Sequence, residues 1–227
     1  MDPNFNTLKQ VSIFSSLREP HLAELCKIAR EKSFPKNSVV FHQNDPGNVL
    51  FILKSGAVKI SITDDRDKEV ILRMIYENDF FGEMSLLDGH FRSATITAVE
   101  PSRALIIYRE DFIRLIRENA AVVLEMLTVL SRRLRKTDEA IASLTFNDAY
   151  GKVARVLLGL MEEQGKRQGD EVVLNLALSR QDLANMAGIS RETFIRVLNE
   201  FQLRGCLKAE RKKIVVFDET VLKREAV

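Results

Sequence analysis

Between Phe80 and Ala98 the chain reads FFGEMSLLDGHFRSATITA, and two pairs of residues in that stretch could do chemistry together. Gly82 and Glu83 open a short apolar helical turn, and Arg92 and Ser93 lead into an alternating, strand-like run. A helix start offers unpaired backbone N–H groups and a partial positive charge to an anion. An arginine arriving beside it can hold a phosphate through a planar fork of donors. Glu83 repels phosphate, so it needs another partner, and a sugar hydroxyl would suit its carboxylate. Phosphate and ribose held side by side suggest a nucleotide. The plainer alternative is a strand–turn–strand corner in which Arg92 pairs with Glu83 and nothing binds.

A second set of residues lies near the other end. Leu178 to Phe201 reads LSRQDLANMAGISRETFIRVLNEF. Ser179 with Asp182 three residues on is close to a capping box, and Ser190 caps a second helix. Ala184 is small where two helices would cross, and Gly188 permits a left-handed turn between them. Leu183, Ile189, Phe194, Val197 and Leu198 supply the buried face. These intervals describe a helix-turn-helix. An apolar helical hairpin would not require the capped, glycine-centred turn. Ser190, Arg191, Glu192 and Arg196 stay clear of the core, and arginine and glutamate can read guanine and cytosine edges in a DNA major groove. Arg180 and Thr193 suit phosphate contacts, which position without specifying.

Both sets resemble known families. Gly82-Glu83, Leu86-Leu87 and Arg92-Ser93-Ala94 resemble the phosphate-binding cassette of cyclic-nucleotide-binding domains. The resemblance implies a double-stranded β-roll in which Arg92 and Ser93 contact the cyclic phosphate and Gly82 and Glu83 the ribose. Over nearly its whole length the chain resembles the cyclic AMP receptor/fumarate–nitrate regulator (Crp/Fnr) family. That implies an α+β protein: a β-roll domain over residues 1–110, a dimerisation helix region over 111–149 and a winged helix-turn-helix over 150–227. It further implies a cytoplasmic homodimeric transcription regulator switched by a cyclic nucleotide, binding double-stranded DNA and contacting RNA polymerase. Arg191, Glu192 and Arg196 match the family's base-reading set, whose half-sites resemble TGTGA. Thr137 matches a family position that meets the adenine amino group. The adjoining family serine is Asp138 here, which could accept from adenine or from the two donors of guanine. Ser93 leans towards adenine, so cyclic AMP is the expected effector, with cyclic GMP or another cyclic nucleotide as alternatives.

The elements that would position these residues follow from pattern. Short segments broken by turns run from Phe34 to Tyr108; Val58-Lys59-Ile60-Ser61-Ile62 alternates at period two, with a turn at Asp64–Asp67 and a returning strand at Val70–Ile75. Helical spacing covers Asn6 to Lys32, and a helical region runs from Glu110 to about Ala149. Within it Val123, Leu127, Leu130, Leu134, Thr137, Ile141 and Leu144 recur at alternating spacings of four and three. That is the 3.5-residue period of a coiled-coil seam, so the helix is expected to pair with a copy of itself. A helix packed on its own barrel is the alternative. Leu207 to Phe217 reads as two strands around a basic turn, a wing. Met161 to Asp170 reads as a polar loop.

Composition sets outer limits. The 227 residues are 45% hydrophobic and 29% charged with net charge +2, ordinary for one large or two modest domains. From Tyr150 to Val227 there are 14 Lys and Arg against 11 Asp and Glu, so the basic surplus sits in the last third. That permits DNA binding without announcing it. No apolar run reaches the roughly 20 residues of a membrane helix, and MDPNFNTLKQ is not a signal peptide. Cys26 and Cys206 stand apart and the three histidines are scattered, giving no metal spacing. An enzyme acting on nucleotides would need paired metal-binding sets or a placed base, and no catalytic residue is assigned. A redox or haem sensor would need cysteine or histidine ligands beyond Cys26. A family member with a vestigial or differently liganded pocket, binding DNA constitutively or sensing another signal, is the remaining alternative.

Overall fold

The computed structural model describes residues 4–226, which form two compact units: residues 4–64 with Leu72–Arg135, and Asp65–Ile71 with residues 136–226. The first begins with helices α1 (Phe5–Gln10) and α2 (Glu19–Ile28), joined through a 3-10 turn at Ser12–Phe14. Eight strands follow: β1 (Arg30–Phe34), β2 (Val39–Phe41), β3 (Val49–Ser55), β4 (Val58–Thr63), β5 (Glu69–Ile75), β6 (Phe80–Phe81), β7 (Thr95–Ala98) and β8 (Ser102–Tyr108), with α3 (Glu83–Asp88) between β6 and β7. They form two four-stranded sheets ordered β1-β8-β3-β6 and β2-β7-β4-β5. Helices α4 (Arg109–Glu118) and α5 (Ala120–Phe146) follow.

The strand β3, VLFIL at its heart, shows why the roll holds. A strand without polar alternation must be covered on both faces. Phe51 and Leu53 point into a core inside the roll with Phe34, Val58, Phe81 and Ile96. Leu50 and Ile52 point the other way, into a second core with Leu8, Phe14, Leu25, Phe112 and Val122. The N-terminal helices and α4 thus cap the outer face of the strand whose inner face packs beside Arg92.

The second unit carries α6 (Ala149–Gln164), β9 (Lys166–Gln168), β10 (Glu171–Asn175), α7 (Arg180–Ala187), α8 (Arg191–Leu203), β11 (Leu207–Ala209), β12 (Lys213–Val216) and α9 (Glu219–Glu225), with a sheet ordered β11-β12-β10-β9. The expected helix–turn–helix is α7 and α8. Ser179 Oγ accepts from the Asp182 N–H while the Asp182 carboxylate accepts from the Ser179 N–H, closing the capping box. Gly188 turns the chain at φ +63°, and a Cβ there would stand 2.7 Å from Leu144 Cδ2. Leu183, Ala184, Phe194, Val197 and Leu198 are buried and Ile189 is half-buried, as their spacing predicts.

Several boundaries differ from expectation. The helical spacing read through Lys32 stops at Ile28, because residues 30–34 pair as a strand with β8. The helical region from Glu110 to about Ala149 divides into α4 and α5, with α6 starting at its end. Asn119 interrupts it, its side-chain amide donating back to the Leu115 carbonyl and ending α4; Asp148 then caps α6. Met161–Asp170 is the end of α6 and the hairpin strand β9. In β4 the wet and dry faces are not as the alternation suggested: Ser61 is buried opposite Thr95, while Ile62 is exposed where the apolar face runs out before the turn. Replacing Ser179 by alanine removes one half of the reciprocal bonding that starts α7 and should cost about 1 kcal/mol. Chemical denaturation of the variant followed by circular dichroism measures this, and an unchanged midpoint would mean the box contributes nothing.

Candidate functional site

The corner between β6 and β7 carries Gly82, Glu83, Arg92 and Ser93. Gly82 adopts φ +82°, which leads directly into α3. Arg92 crosses beneath that turn and is 4% exposed. Its Nη1 donates to the Gly82 carbonyl at 2.7 Å and to Ser85 Oγ at 3.0 Å, and its Nη2 donates to the Val49 carbonyl at 2.9 Å. The guanidinium lies over the Phe41 ring at 4.2 Å. Nε is buried and has no hydrogen-bond partner among the described residues. Burial pulls the guanidinium below its ordinary pKa, with Glu83 and Asp45 opposing the shift.

Glycine is required here by space as well as by φ. A Cβ on Gly82 would sit 2.7 Å from Arg92 Nη1. One on Gly47, in the loop before β3, would collide with Ser85 Oγ and sit 2.9 Å from Arg92 Nε. The chain thus keeps open the approach to an arginine it has buried.

Arg92 does not pair with Glu83 as the corner alternative expected. Glu83, itself buried, accepts from Arg133 Nη1 at 2.7 Å. Arg133 also donates to Asp79 Oδ1 at 2.7 Å and to the Phe80 carbonyl at 2.6 Å, and lies over the Phe80 ring at 4.3 Å. The carboxylate that would repel phosphate is therefore neutralised by a cation of α5, and its remaining oxygen can still accept from a hydroxyl. Ser93 is exposed at the rim, its Oγ 3.5 Å from Met84 Sδ. With six residues, α3 is too short for a helix dipole to count, and Arg92 is the cation of this corner not bonded to a carboxylate. Arg133, Ser85 and the Val49 carbonyl were not legible as site groups.

Thr137 and Asp138 lie on α5 beyond Arg133, exposed, and belong to the other compact unit. Four apolar residues of the same helix, Leu127, Leu134, Ile141 and Leu144, are exposed too, while Val122 and Met126 are buried and the seam residue Leu130 is half-buried against the core.

In the second unit, Arg191, Glu192 and Arg196 lie on α8 and all three are exposed. At 3.6 residues per turn they span an arc of about 140° on one side of the helix. Ser190 caps α8 by accepting from the Thr193 N–H at 3.1 Å, and its hydroxyl donates to Thr193 Oγ1 at 3.0 Å. Arg180 is half-buried and donates to the Glu210 carbonyl at the wing turn, which ties α7 to the wing and leaves its other donors for an anion. Among the described residues no group of three or more His, Cys, Asp and Glu could hold a metal, and no helix is long and apolar enough to cross a membrane.

Known proteins resemble this chain over both regions. Residues 31–119 match the cyclic nucleotide-binding domain and residues 151–225 the Crp-like helix-turn-helix domain. Over 219 residues the chain is 32% identical to a CRP-like cAMP-activated global transcriptional regulator of Mycobacterium tuberculosis, covering 96% of this chain and 98% of that one. The chain belongs to the Crp/Fnr family of transcription regulators. It is also 33% identical over 201 residues to the cyclic AMP receptor protein of Thermus thermophilus, covering 88% of this chain and 90% of that one. Among solved structures, a CooA mutant from Carboxydothermus hydrogenoformans superposes with a TM-score of 0.80 at 25% identity, covering 96% and 95% of the two chains. The c-di-GMP responsive regulator CLP of Xanthomonas campestris gives 0.77 at 26% identity, covering 88% and 100%. In this Crp/Fnr chain Gly82, Glu83 and Arg92 share one corner, and the helix-turn-helix presents its polar side outward.

Replacing Arg92 by leucine removes the buried cation of this corner. A loss of about 2–5 kcal/mol, equal to roughly a thirtyfold weakening or more, is expected for cyclic AMP. Calorimetric titration of the folded variant tests this, and an unchanged isotherm would remove Arg92 from the site.

Proposed function

We propose that this chain is a homodimeric DNA-binding regulator whose grip on a palindromic operator depends on a cyclic nucleotide, with cyclic AMP as the favoured effector. The observation that carries the reading is the buried Arg92 guanidinium with an unpaired Nε, set beside a neutralised Glu83. A cyclic phosphate would supply the missing acceptor, and a ribose hydroxyl would donate to the free carboxylate oxygen. Thr137 and Asp138 are assigned to the base, and Ser93 to the phosphate. The cAMP-activated relatives favour adenine; the c-di-GMP responsive neighbour keeps another cyclic nucleotide as the alternative.

The exposed stripe of Leu127, Leu134, Ile141 and Leu144 supports self-pairing along α5, since a row of apolar side chains at the seam period is costly to leave in water. In this reading residues 111–149 form the dimerisation region. Arg191, Glu192 and Arg196 read a TGTGA-like half-site, Arg180, Ser190 and Thr193 lie near the backbone, and the two recognition helices sit about 34 Å apart. That spacing is the general geometry of helix-turn-helix dimers, for which members of this family are standard examples. The protein acts in the cytoplasm, without catalysis, and contacts RNA polymerase.

Leu134→Lys should place two charges in the seam and split the dimer; multi-angle light scattering showing an intact dimer would dispose of the seam. Operator binding, titrated in parallel with cyclic AMP, cyclic GMP and a cyclic dinucleotide, tests the effector, and DNA affinity indifferent to all three would support constitutive binding instead. In the same assay Arg191→Ala should lose about 1–3 kcal/mol at one guanine per half-site. A loss spread evenly over base substitutions would assign Arg191 to phosphate.

A further inference from the structure

Arg92 has five N–H donors, and their use can be counted. Nη1 uses both of its own, on the Gly82 carbonyl and Ser85 Oγ; Nη2 uses one on the Val49 carbonyl. Nε–H and the second Nη2–H are left. The Val49 carbonyl lies towards the Nη1 end of the plane, since a Cβ on Gly82 would stand 3.2 Å from that oxygen and 2.7 Å from Nη1. The second Nη2–H therefore points along the same edge as Nε–H. Together they form the side-on fork that suits two oxygens of one phosphate. Nε is buried and unpartnered among the described residues, an arrangement that is unfavourable unless a ligand completes it.

We propose that Ser85 is a positioning residue for Arg92: its hydroxyl, with the carbonyls of Gly82 and Val49, fixes the guanidinium plane so that the Nε–Nη2 edge faces the cyclic phosphate. This rests on the nucleotide reading above and adds a residue to it. Ser85 is 2% exposed and sits inside α3, where its hydroxyl caps nothing. The Phe41 ring backs the plane at 4.2 Å, and the two carbonyls tether its Nη1–Nη2 end. Of these three hydrogen-bond tethers only Ser85 is a side chain, so it can be removed without altering the backbone. Gly47 supports the same geometry: any Cβ there would collide with both Ser85 Oγ and Arg92 Nε. Space is therefore kept at the two atoms that set and use the fork.

The test uses the full-length protein, with calorimetric titration of cyclic AMP and the arginine Nε–H resonances of a 15N-labelled sample. The Arg92 signal is identified by its absence in Arg92→Lys. Ser85→Ala, and Ser85→Gly as a second variant without added bulk, should each weaken cyclic AMP binding about tenfold. Each should also broaden or shift the Arg92 Nε–H signal before ligand is added. In an Arg92→Lys background the same replacement should change affinity less than about twofold, because Ser85 acts through the fork. Wild-type affinity in both Ser85 variants would overturn the proposal while leaving the nucleotide site standing. An undiminished tenfold loss in the Arg92→Lys background would also overturn it, showing that the hydroxyl touches the ligand itself. Failure of the wild-type protein to bind any cyclic nucleotide would overturn the nucleotide reading, and this inference with it.

Discussion

A guanidinium held out of water without a carboxylate bonded to it is the constraint around which the N-terminal unit is arranged. Arginine stays charged at any ordinary pH, so it cannot escape burial by losing its proton. Taking such an ion out of water costs several kcal/mol even after relaxation. Hydrogen bonds to Gly82, Ser85 and Val49 and the face of Phe41 offset part of that cost. None of them carries a full negative charge. On the proposed reading an anion from outside restores the balance, and the surrounding sequence is consistent with that: two glycines keep the approach clear, and the nearby carboxylate of Glu83 is bound to a different cation.

That second ion pair prevents the site from satisfying itself. Had Arg92 turned to Glu83, the cleft would be electrically closed and indifferent to phosphate. Arg133 removes this option by holding Glu83 and Asp79 together from α5. A buried pair of this kind adds little net stability over an apolar packing, and breaking it is strongly destabilising. Its value lies in specificity: it fixes which arginine remains available.

Much of this was legible in sequence because the decisive residues are close together. Gly82 through Ser93 occupy one turn-and-strand corner, and Ser179 through Val197 one helical hairpin, so spacing alone related them. Arg133 could not be found in the same way. It lies 50 residues from Glu83 and outside the 3.5-residue seam of α5, so no spacing related the two. Ser85 was hidden inside an apolar turn, where a small polar residue has no periodic signature. The Val49 carbonyl has none at all, since a backbone oxygen says nothing of its direction until β3 is paired. The same limit explains the boundaries: residues 30–33 are all polar and show no alternation, and only pairing with β8 makes residues 30–34 a strand.

On the proposed reading the path from ligand to DNA turns on α5. It is one continuous helix that carries Arg133 at the Arg92 corner and the exposed apolar stripe along its length. A ligand moves an equilibrium only by the difference in its affinity for two states, and taking a population from 1:99 to 99:1 needs about 5.5 kcal/mol. Contacts to Arg92 alone act within one unit and bind both states alike unless the helix also changes its partners. In that reading Arg133 joins Thr137 and Asp138 as groups of α5 that respond to the ligand, because a ribose hydroxyl that engages Glu83 alters the hold of Glu83 on a residue fixed to α5. On the proposed reading the differential therefore arises at the ribose and base ends of the nucleotide, and the phosphate end supplies affinity. A regulator built so would bind many phosphodiesters at Arg92 and respond only to those whose sugar reaches Glu83 and whose base reaches α5.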